Sequence, residues 1–227
     1  MSKKLNAYRG KLSADKIAVG INAAAQNARR LAQDAEMLLN ADRFPSAAAL
    51  AILSIEEAGK VSILRALAVA KTEAEAAEEW KNYRSHTQKN VSWITPQLFS
   101  NGARKLEDFR PLYDKASDHP FILDQLKQLG FYTDCIGESR WSIPGEVIEE
   151  PLARSLVATA KLKTNDKDVT CREIELWVEH VGPVWKKEYS WMKQALVNWY
   201  AAMQAEGLAP AGTNEMAEFV RDDAPKA

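Results

Sequence analysis

Apolar side chains recur at steps of three and four residues over the first forty positions, which is the spacing of an amphipathic α-helix. The recurring positions are Ile17, Ile21, Ala24, Ala28, Leu31, Ala35, Leu38 and Leu39. Ser13 stands just before them and can cap a helix, because its hydroxyl can accept a backbone N–H of the first turn. The pattern predicts a helix over residues 14–40 with one buried and one polar face.

Two further helices are predicted after short connections. Pro45 suits a first helical turn, which tolerates a missing N–H, and the apolar pattern then continues over residues 45–71. Thr72 and Glu75 have the spacing of a capping box, which opens a helix over residues 73–90. Because the first connection is short, we expect the first two helices to pack as antiparallel neighbours.

The periodic pattern weakens in the middle of the chain. Glycine and proline interrupt residues 93–118, which predicts a loop with one short helix around residues 104–108. Another short helix is expected over residues 121–129. Two aromatic-rich pieces around a glycine then predict a small hairpin or ordered loop near residues 131–144.

The helical pattern returns in the last third of the chain. We expect helices over residues 151–163 and 171–206, with a kink or break at Gly182-Pro183 in the second of them. Residues 207–227 are rich in alanine, proline, aspartate and glycine, which predicts a flexible tail.

The composition agrees with a mainly α fold. The chain has 227 residues, 46% of them hydrophobic, so it can bury a sizeable core, and its 10 glycines and 9 prolines fall mostly between the periodic segments. No internal repeat or linker is evident. We therefore expect a single helical domain over residues 1–206, formed by the five longer helices and a hairpin insertion.

Charge and cysteine content narrow the function classes. The formal net charge of -1 argues against a basic polyanion-binding protein, so any nucleic-acid contact must come from a local patch. Cys135 and Cys171 match neither a disulfide framework nor a zinc-ligand spacing. No apolar stretch approaches the roughly 20 residues of a membrane span. These features predict a cytoplasmic protein without membrane contact.

The second predicted helix carries charges where a buried helix should have none. Residues 47–67 are apolar on nearly every face, yet Glu56, Glu57 and Lys60 lie in their middle. Charges on a core-facing stripe cost several kcal/mol each unless they are paired. They should be neutralised within the bundle or line a polar cleft, although a Glu–Lys pair reaching a solvated edge is an alternative.

A second polar group lies on the third predicted helix. His86 and Lys89 are three residues apart and share a face, and Arg84 precedes them. Histidine can exchange a proton near neutral pH, and a nearby cation can hold a phosphate or stabilise developing charge. The alternative is a histidine on a solvated helix end.

Several motif-based functions are excluded. The segment Gly59-Lys60-Val61-Ser62 lacks the earlier glycine of a phosphate-binding loop, and the chain has no Glu-x-x-His, His-Glu-x-x-His or Gly-x-Ser-x-Gly motif. His119 precedes Pro120 in a predicted loop and His180 lies near a predicted helix end, so neither is expected to have a functional role. We therefore predict neither a metal nor another cofactor.

Three segments together carry a recognisable pattern. They are residues 49–60 (ALAILSIEEAGK), 84–89 (RSHTQK), and 129–134 (LGFYTD) followed by 141–144 (WSIP). In this order they resemble the AbiV-type abortive-infection proteins, which are counted among the HEPN-like helical domains. The resemblance implies a helical bundle, a homodimer and a role in anti-phage defence that arrests growth or translation of the infected cell.

Many HEPN relatives are toxins that act as metal-independent ribonucleases, and the resemblance implies candidate residues for that activity. His86 would be the general base on a ribose 2′-hydroxyl, with Arg84 and Lys89 on the scissile phosphate. A supporting polar cluster would comprise Glu56, Glu57, Lys60 and Asp134. The Arg-to-His spacing departs from the usual HEPN pattern, because one residue separates Arg84 from His86.

Two other functions remain open from the sequence. The chain could be a non-catalytic helical module that contacts a phage or host protein, with the charged cluster as internal structure. It could also be a regulatory partner of another nuclease. The expected partners are accordingly a second copy of the chain, an RNA substrate, and a phage protein as activator or target.

Overall fold

The computed structural model describes residues 6–114, 116–164 and 166–221. Its α-helices are α1 (Ala14–Asn40), α2 (Phe44–Ala68), α3 (Glu73–Arg84), α4 (His86–Asn90), α5 (Thr95–Ser100), α6 (His119–Phe131), α7 (Pro144–Val147), α8 (Glu150–Lys163), α9 (Cys171–Val181), α10 (Tyr189–Ala205) and α11 (Glu215–Val220). Short 3₁₀ helices occupy Val91–Ile94, Leu106–Tyr113 and Gly182–Val184. The mainly α fold class is confirmed.

The helix α2 lies at the centre of the bundle. The helices α1, α3, α4, α6, α8 and α9 all pack against it, and α1 runs antiparallel to it after a three-residue connection. The interface between α1, α2 and α8 is built mainly from small buried side chains, which are Ala32, Ala35, Ala47, Ala48, Ala51, Ala153 and Ala160. Small side chains let the axes of these helices approach closely. Because the six helices named above pack against α2, it is enclosed on most sides.

The predicted hairpin is present between α6 and α7. Strand β1 (Asp134–Ile136) pairs antiparallel with β2 (Arg140–Ser142), and Cys135 lies opposite Trp141. The turn between them uses Gly137 and Ser139, both with positive φ. This hairpin falls within the expected residues 131–144 and leaves both strands mostly exposed.

The predicted helix over residues 73–90 is interrupted. Ser85 has an extended backbone, and its hydroxyl accepts the N–H of Gln88, so it ends α3 and caps α4 at the same residue. A capping serine satisfies the first N–H groups of a new helix, which stabilises the break. The break gives α4 its own direction and turns Arg84 away from His86.

The last part of the chain also differs from its prediction. The expected break at Gly182-Pro183 is a 3₁₀ turn, and α10 begins only at Tyr189.

The tail that was expected to be flexible contains α11. Its Val220 is buried, and the neighbouring Phe219 packs on the aromatic ring of Phe109. The contact between the two phenylalanine rings and the side-chain cap at the start of α11 explain why this segment is helical. Residues 1–5 of the predicted domain and 222–227 of the predicted tail lie outside the described residues.

Over the part of the chain that the structure describes, none of the helices combines the length and the apolar character that a membrane crossing requires.

Close packing between α2 and α4 depends on Gly59. A Cβ built there would lie 2.0 Å from the backbone oxygen of Lys89. Glycine in a helix interior costs about 1 kcal/mol relative to alanine, and here its missing side chain lets the α4 backbone rest directly on α2. Since Glu56 lies one turn before Gly59, this contact brings α4 to Glu56.

We predict that Gly59→Ala destabilises the fold by about 1–3 kcal/mol, because a backbone atom cannot move aside as a side chain can. Thermal or urea unfolding of the purified variant measures the change. Gly20→Ala in α1 is the matched control, since its Cβ would meet Leu64 at an ordinary 3.5 Å. That control should be neutral or stabilising by up to about 1 kcal/mol. Equal stability of the two variants would contradict the role of Gly59.

Candidate functional site

Glu56 is a buried carboxylate at the centre of α2 that is surrounded by nitrogen donors. It is 2% exposed. Lys127 Nζ donates to its Oε1 at 2.6 Å, while His86 Nδ1 and Lys89 Nζ lie 2.7 Å and 3.2 Å from its Oε2. A buried charge is tolerated when its oxygens are paired in this way. Glu56 is therefore the anchor of a polar site inside the bundle.

Two helices supply the groups that surround Glu56. His86 and Lys89 lie one turn apart on α4, and Asp124 and Lys127 lie one turn apart on α6, so each helix directs two side chains to Glu56 or its partners. Lys127 Nζ also donates to Asp124 Oδ1 at 2.7 Å. We call these five residues the Glu56 cluster. With His86 counted as neutral, its formal charges balance, because two carboxylates face two ammonium groups.

The cluster determines which nitrogen of His86 carries the proton. An ionised carboxylate only accepts hydrogen bonds, so the 2.7 Å contact with Glu56 requires a proton on Nδ1. The 3.1 Å approach of Lys127 Nζ to the same Nδ1 is then a close contact rather than a hydrogen bond. In the neutral ring, Nε2 therefore holds the lone pair and can accept a proton.

His86 is the accessible member of the cluster. Its side chain is 53% exposed, compared with 8% for Lys89 and 6% for Lys127. Among the described residues, Nε2 of His86 has no hydrogen-bond partner. The cluster thus presents a single basic nitrogen to solvent and keeps its ammonium groups beneath it.

The charged neighbours hold Glu56 and Lys127 in their ionised forms. Burial alone would raise the pKa of Glu56, but the hydrogen bonds from Lys127 and His86 and the charge of Lys89 outweigh it and lower that pKa below its ordinary 4.5. Burial would lower the pKa of Lys127, whereas Asp124 and Glu56 raise it above its ordinary 10.5. Both groups therefore stay charged at neutral pH.

The same cluster offers ligand atoms of a kind that metals use. One atom each from Glu56, His86 and Asp124 can be chosen so that all three lie within 4.8 Å of one another. Lys127 Nζ approaches the same three side chains at 2.6, 3.1 and 2.7 Å respectively. Its ammonium occupies the place that a cation would take, so a divalent ion would first have to displace Lys127.

The structure brings together only part of the predicted site. Arg84 donates to the backbone oxygens of Trp80 and Tyr8 and stacks on the Trp80 ring, so it does not reach the Glu56 cluster. Its direction follows from the break at Ser85. The predicted contact of Arg84 with a phosphate beside His86 does not fit this position.

The other predicted residues also separate into distinct groups. Glu57 and Lys60 pair with each other, and Lys60 lies over the Tyr83 ring. This intrahelical pair matches the alternative considered from the sequence, whereas Glu56 is neutralised within the bundle. Asp134 lies in the exposed hairpin and accepts the N–H of Cys135, away from the cluster.

Sequence reasoning missed Lys127 and Asp124. Lys127 lies between Leu123 and Gly130 on a stripe of α6 that is buried in the structure. A lysine at a helical step from apolar residues is the same signal that singled out Glu56. Applied to α6, that signal would have found Lys127.

We predict that Glu56→Gln destabilises the protein by about 3–5 kcal/mol, because it leaves two buried ammonium groups without their shared carboxylate. Urea unfolding followed by circular dichroism measures the loss. Glu57→Gln is the matched control on the same helix, and it should cost less, because only one ammonium group loses its partner and Lys60 keeps its contact with the Tyr83 ring. Similar losses in the two variants would contradict the anchoring role of Glu56.

The lowered pKa of Glu56 predicts a specific pH dependence. A carboxyl group with a lowered folded-state pKa contributes its full stabilisation above its ordinary 4.5, and that contribution is lost as pH falls through the folded-state value. The gap in unfolding free energy between the wild-type protein and Glu56→Gln should therefore narrow below about pH 4.5. Urea unfolding of both proteins at decreasing pH checks this. A gap that stays constant down to about pH 3 would contradict it.

Comparison with known proteins identifies the family. The family model for AbiV, an HEPN-type domain, matches residues 16–165, which is about two thirds of the chain. No curated protein and no solved structure matches the chain. The matched region contains all five residues of the Glu56 cluster, and the chain belongs to the AbiV family of HEPN-type abortive-infection proteins.

Proposed function

We propose that this abortive-infection protein arrests growth or translation of the infected cell as a metal-independent ribonuclease in which His86 is the general base. One observation carries the proposal. Glu56 holds Nδ1 of His86 from inside the bundle, and Nε2 is left without a partner among the described residues on a half-exposed side chain. A carboxylate that fixes the tautomer and orientation of a histidine is a recurrent way to prepare a base.

The proposed reaction needs only RNA. Nε2 of His86 takes the proton of a ribose 2′-hydroxyl, and the resulting oxygen attacks the adjacent phosphorus. The bond from phosphorus to the 5′-oxygen of the next nucleotide breaks, and that oxygen takes a proton from solvent. The products are a 2′,3′-cyclic phosphate and a 5′-hydroxyl. DNA lacks the 2′-hydroxyl, so this route restricts the substrate to RNA.

In this proposal the cations of the site support the general base, His86, and do not contact the phosphate. Lys89 and Lys127 are almost fully buried and both contact Glu56. They keep Glu56 ionised, and an ionised Glu56 keeps the proton on Nδ1 of His86. The role expected for Lys89 on the scissile phosphate is replaced here by support of Glu56.

A binding module is the second candidate function, and two observations favour it. Arg84 and Lys89, the cations expected to hold a phosphate, are engaged in internal contacts. Large apolar side chains are exposed around the hairpin, where Tyr132 and Trp141 are 61% and 69% exposed. Such a surface suits contact with a phage or host protein. The homodimer implied by the resemblance stays a prediction.

We predict that the purified protein cleaves total bacterial RNA in the presence of a metal chelator and that His86→Gln abolishes the cleavage, with a rate loss on the order of 100-fold or more. Gel analysis of the RNA and detection of 2′,3′-cyclic phosphate ends provide the measurement. His180→Gln is the matched control, because His180 lies on α9 outside the Glu56 cluster.

Three results would contradict this proposal. Full cleavage by a folded His86→Gln protein would remove His86 from the reaction. RNA that stays intact with the wild-type protein, both alone and with phage-infected cell extract, would favour the binding module. Loss of cleavage on chelation would show that a metal ion is required.

A further inference from the structure

A second feature lies beside the Glu56 cluster and has no role in the chemistry above. It is a pocket of about 470 Å³ between α4, α6 and the end of the 3₁₀ segment Leu106–Tyr113. Its walls include Thr87, Gln88, Tyr113, Asp114 and Phe121. A volume of this size is within the range of small-ligand pockets.

Two aromatic side chains of the pocket are exposed to solvent. Phe121 is 60% exposed and Tyr113 is 75% exposed, although each is large and apolar enough to be expected in a core. Exposed rings at the edge of a pocket are the usual platform for nucleobases, because every base has a flat face that stacks on them. The apolar wall residues Val91 and Leu112 extend the same surface inward.

The polar groups of the pocket favour a base rather than a phosphate. Its lining includes Asp114, whose charge repels an anion. Asp114 Oδ1 accepts the N–H of Ala116, and Oδ2 is the oxygen that can accept a hydrogen bond from a ligand. A carboxylate is the natural acceptor for an exocyclic amino group, and the Gln88 amide can pair with a base edge.

The position of the pocket relates it to His86. Thr87 and Gln88 directly follow His86 on α4, and Phe121 precedes Asp124 by one turn of α6, or about 4.5 Å along the helix axis. The pocket and the Glu56 cluster have no residue in common, and the connection between them is the shared pair of helices α4 and α6. Helices α4 and α6, which carry four of the five cluster residues, thus also supply part of the pocket wall.

We propose that this pocket binds a nucleobase with an exocyclic amino group, within a single-stranded RNA whose adjacent 2′-hydroxyl lies at His86. The inference rests on the proposed ribonuclease function and adds a base preference to it. A duplex does not fit, because a base must leave its stack to enter a pocket. The substrate is accordingly an unpaired region with adenine, cytosine or guanine at the cleavage position.

Binding and cleavage are measured separately to test this. Binding uses the His86→Gln protein and a short single-stranded RNA that carries one 2-aminopurine, whose fluorescence falls when it stacks. Phe121→Ala in that background should weaken binding on the order of tenfold and reduce the quenching, since stacking is lost. Trp191→Ala is the matched control, because Trp191 is an aromatic residue of similar exposure, 54%, on α10.

Cleavage uses proteins that retain His86 and oligonucleotides that differ only in one unpaired base. Phe121→Ala should raise KM about tenfold with a smaller change in kcat, because the pocket binds the base and does not react. Asp114→Asn should reduce the preference for cytosine over uracil, since the amide can turn its N–H₂ toward a carbonyl. Trp191→Ala should change neither value.

The outcomes separate the pocket from the ribonuclease. If Phe121→Ala and Asp114→Asn leave cleavage unchanged, the proposal of a nucleobase pocket is wrong, whereas the proposed ribonuclease function is unaffected. Quenching that is lost in Phe121→Ala but kept in Trp191→Ala supports the pocket even if no cleavage occurs. RNA that is neither bound nor cleaved overturns both proposals.

Discussion

The fold is organised around one demand, which is that a carboxylate at the centre of the most buried helix must remain ionised. Glu56 meets this demand because Lys127, His86 and Lys89 all reach its two oxygens. Desolvation would otherwise cost several kcal/mol. The contacts of α4 and α6 with α2 are therefore electrostatic as well as apolar, and the same contacts that stabilise the bundle orient the histidine at its surface.

The helix break at Ser85 makes this arrangement possible. In a continuous helix over residues 73–90, Arg84 and His86 would share one helix axis. The break sends the Arg84 guanidinium to the Trp80 ring and lets α4 rest on Gly59. The unusual spacing of Arg84 and His86, compared with other HEPN proteins, thus has a structural counterpart, since the two residues belong to different helices with different surroundings.

The positions of the long helices could be predicted from the sequence, because they depend on local patterns. The contacts between helices could not. Periodicity located α1 and α2 closely, because both are long and carry many apolar positions. Ser85 and Gln88 have capping-box spacing, so the break was readable in principle. The pairing of Lys127 with Glu56 joins residues 71 positions apart, and the direction of α6 across α2 is decided by tertiary packing. The predicted inclusion of Asp134 followed a shared motif rather than a physical contact.

The ammonium of Lys127 stands among carboxylate and imidazole groups that could otherwise attract a divalent ion. Because this cation is covalently attached to the chain, it is present in every folded molecule and cannot be diluted, chelated or exchanged. The positive charge that balances Glu56 and Asp124 is therefore supplied by the chain itself as soon as α6 packs against α2.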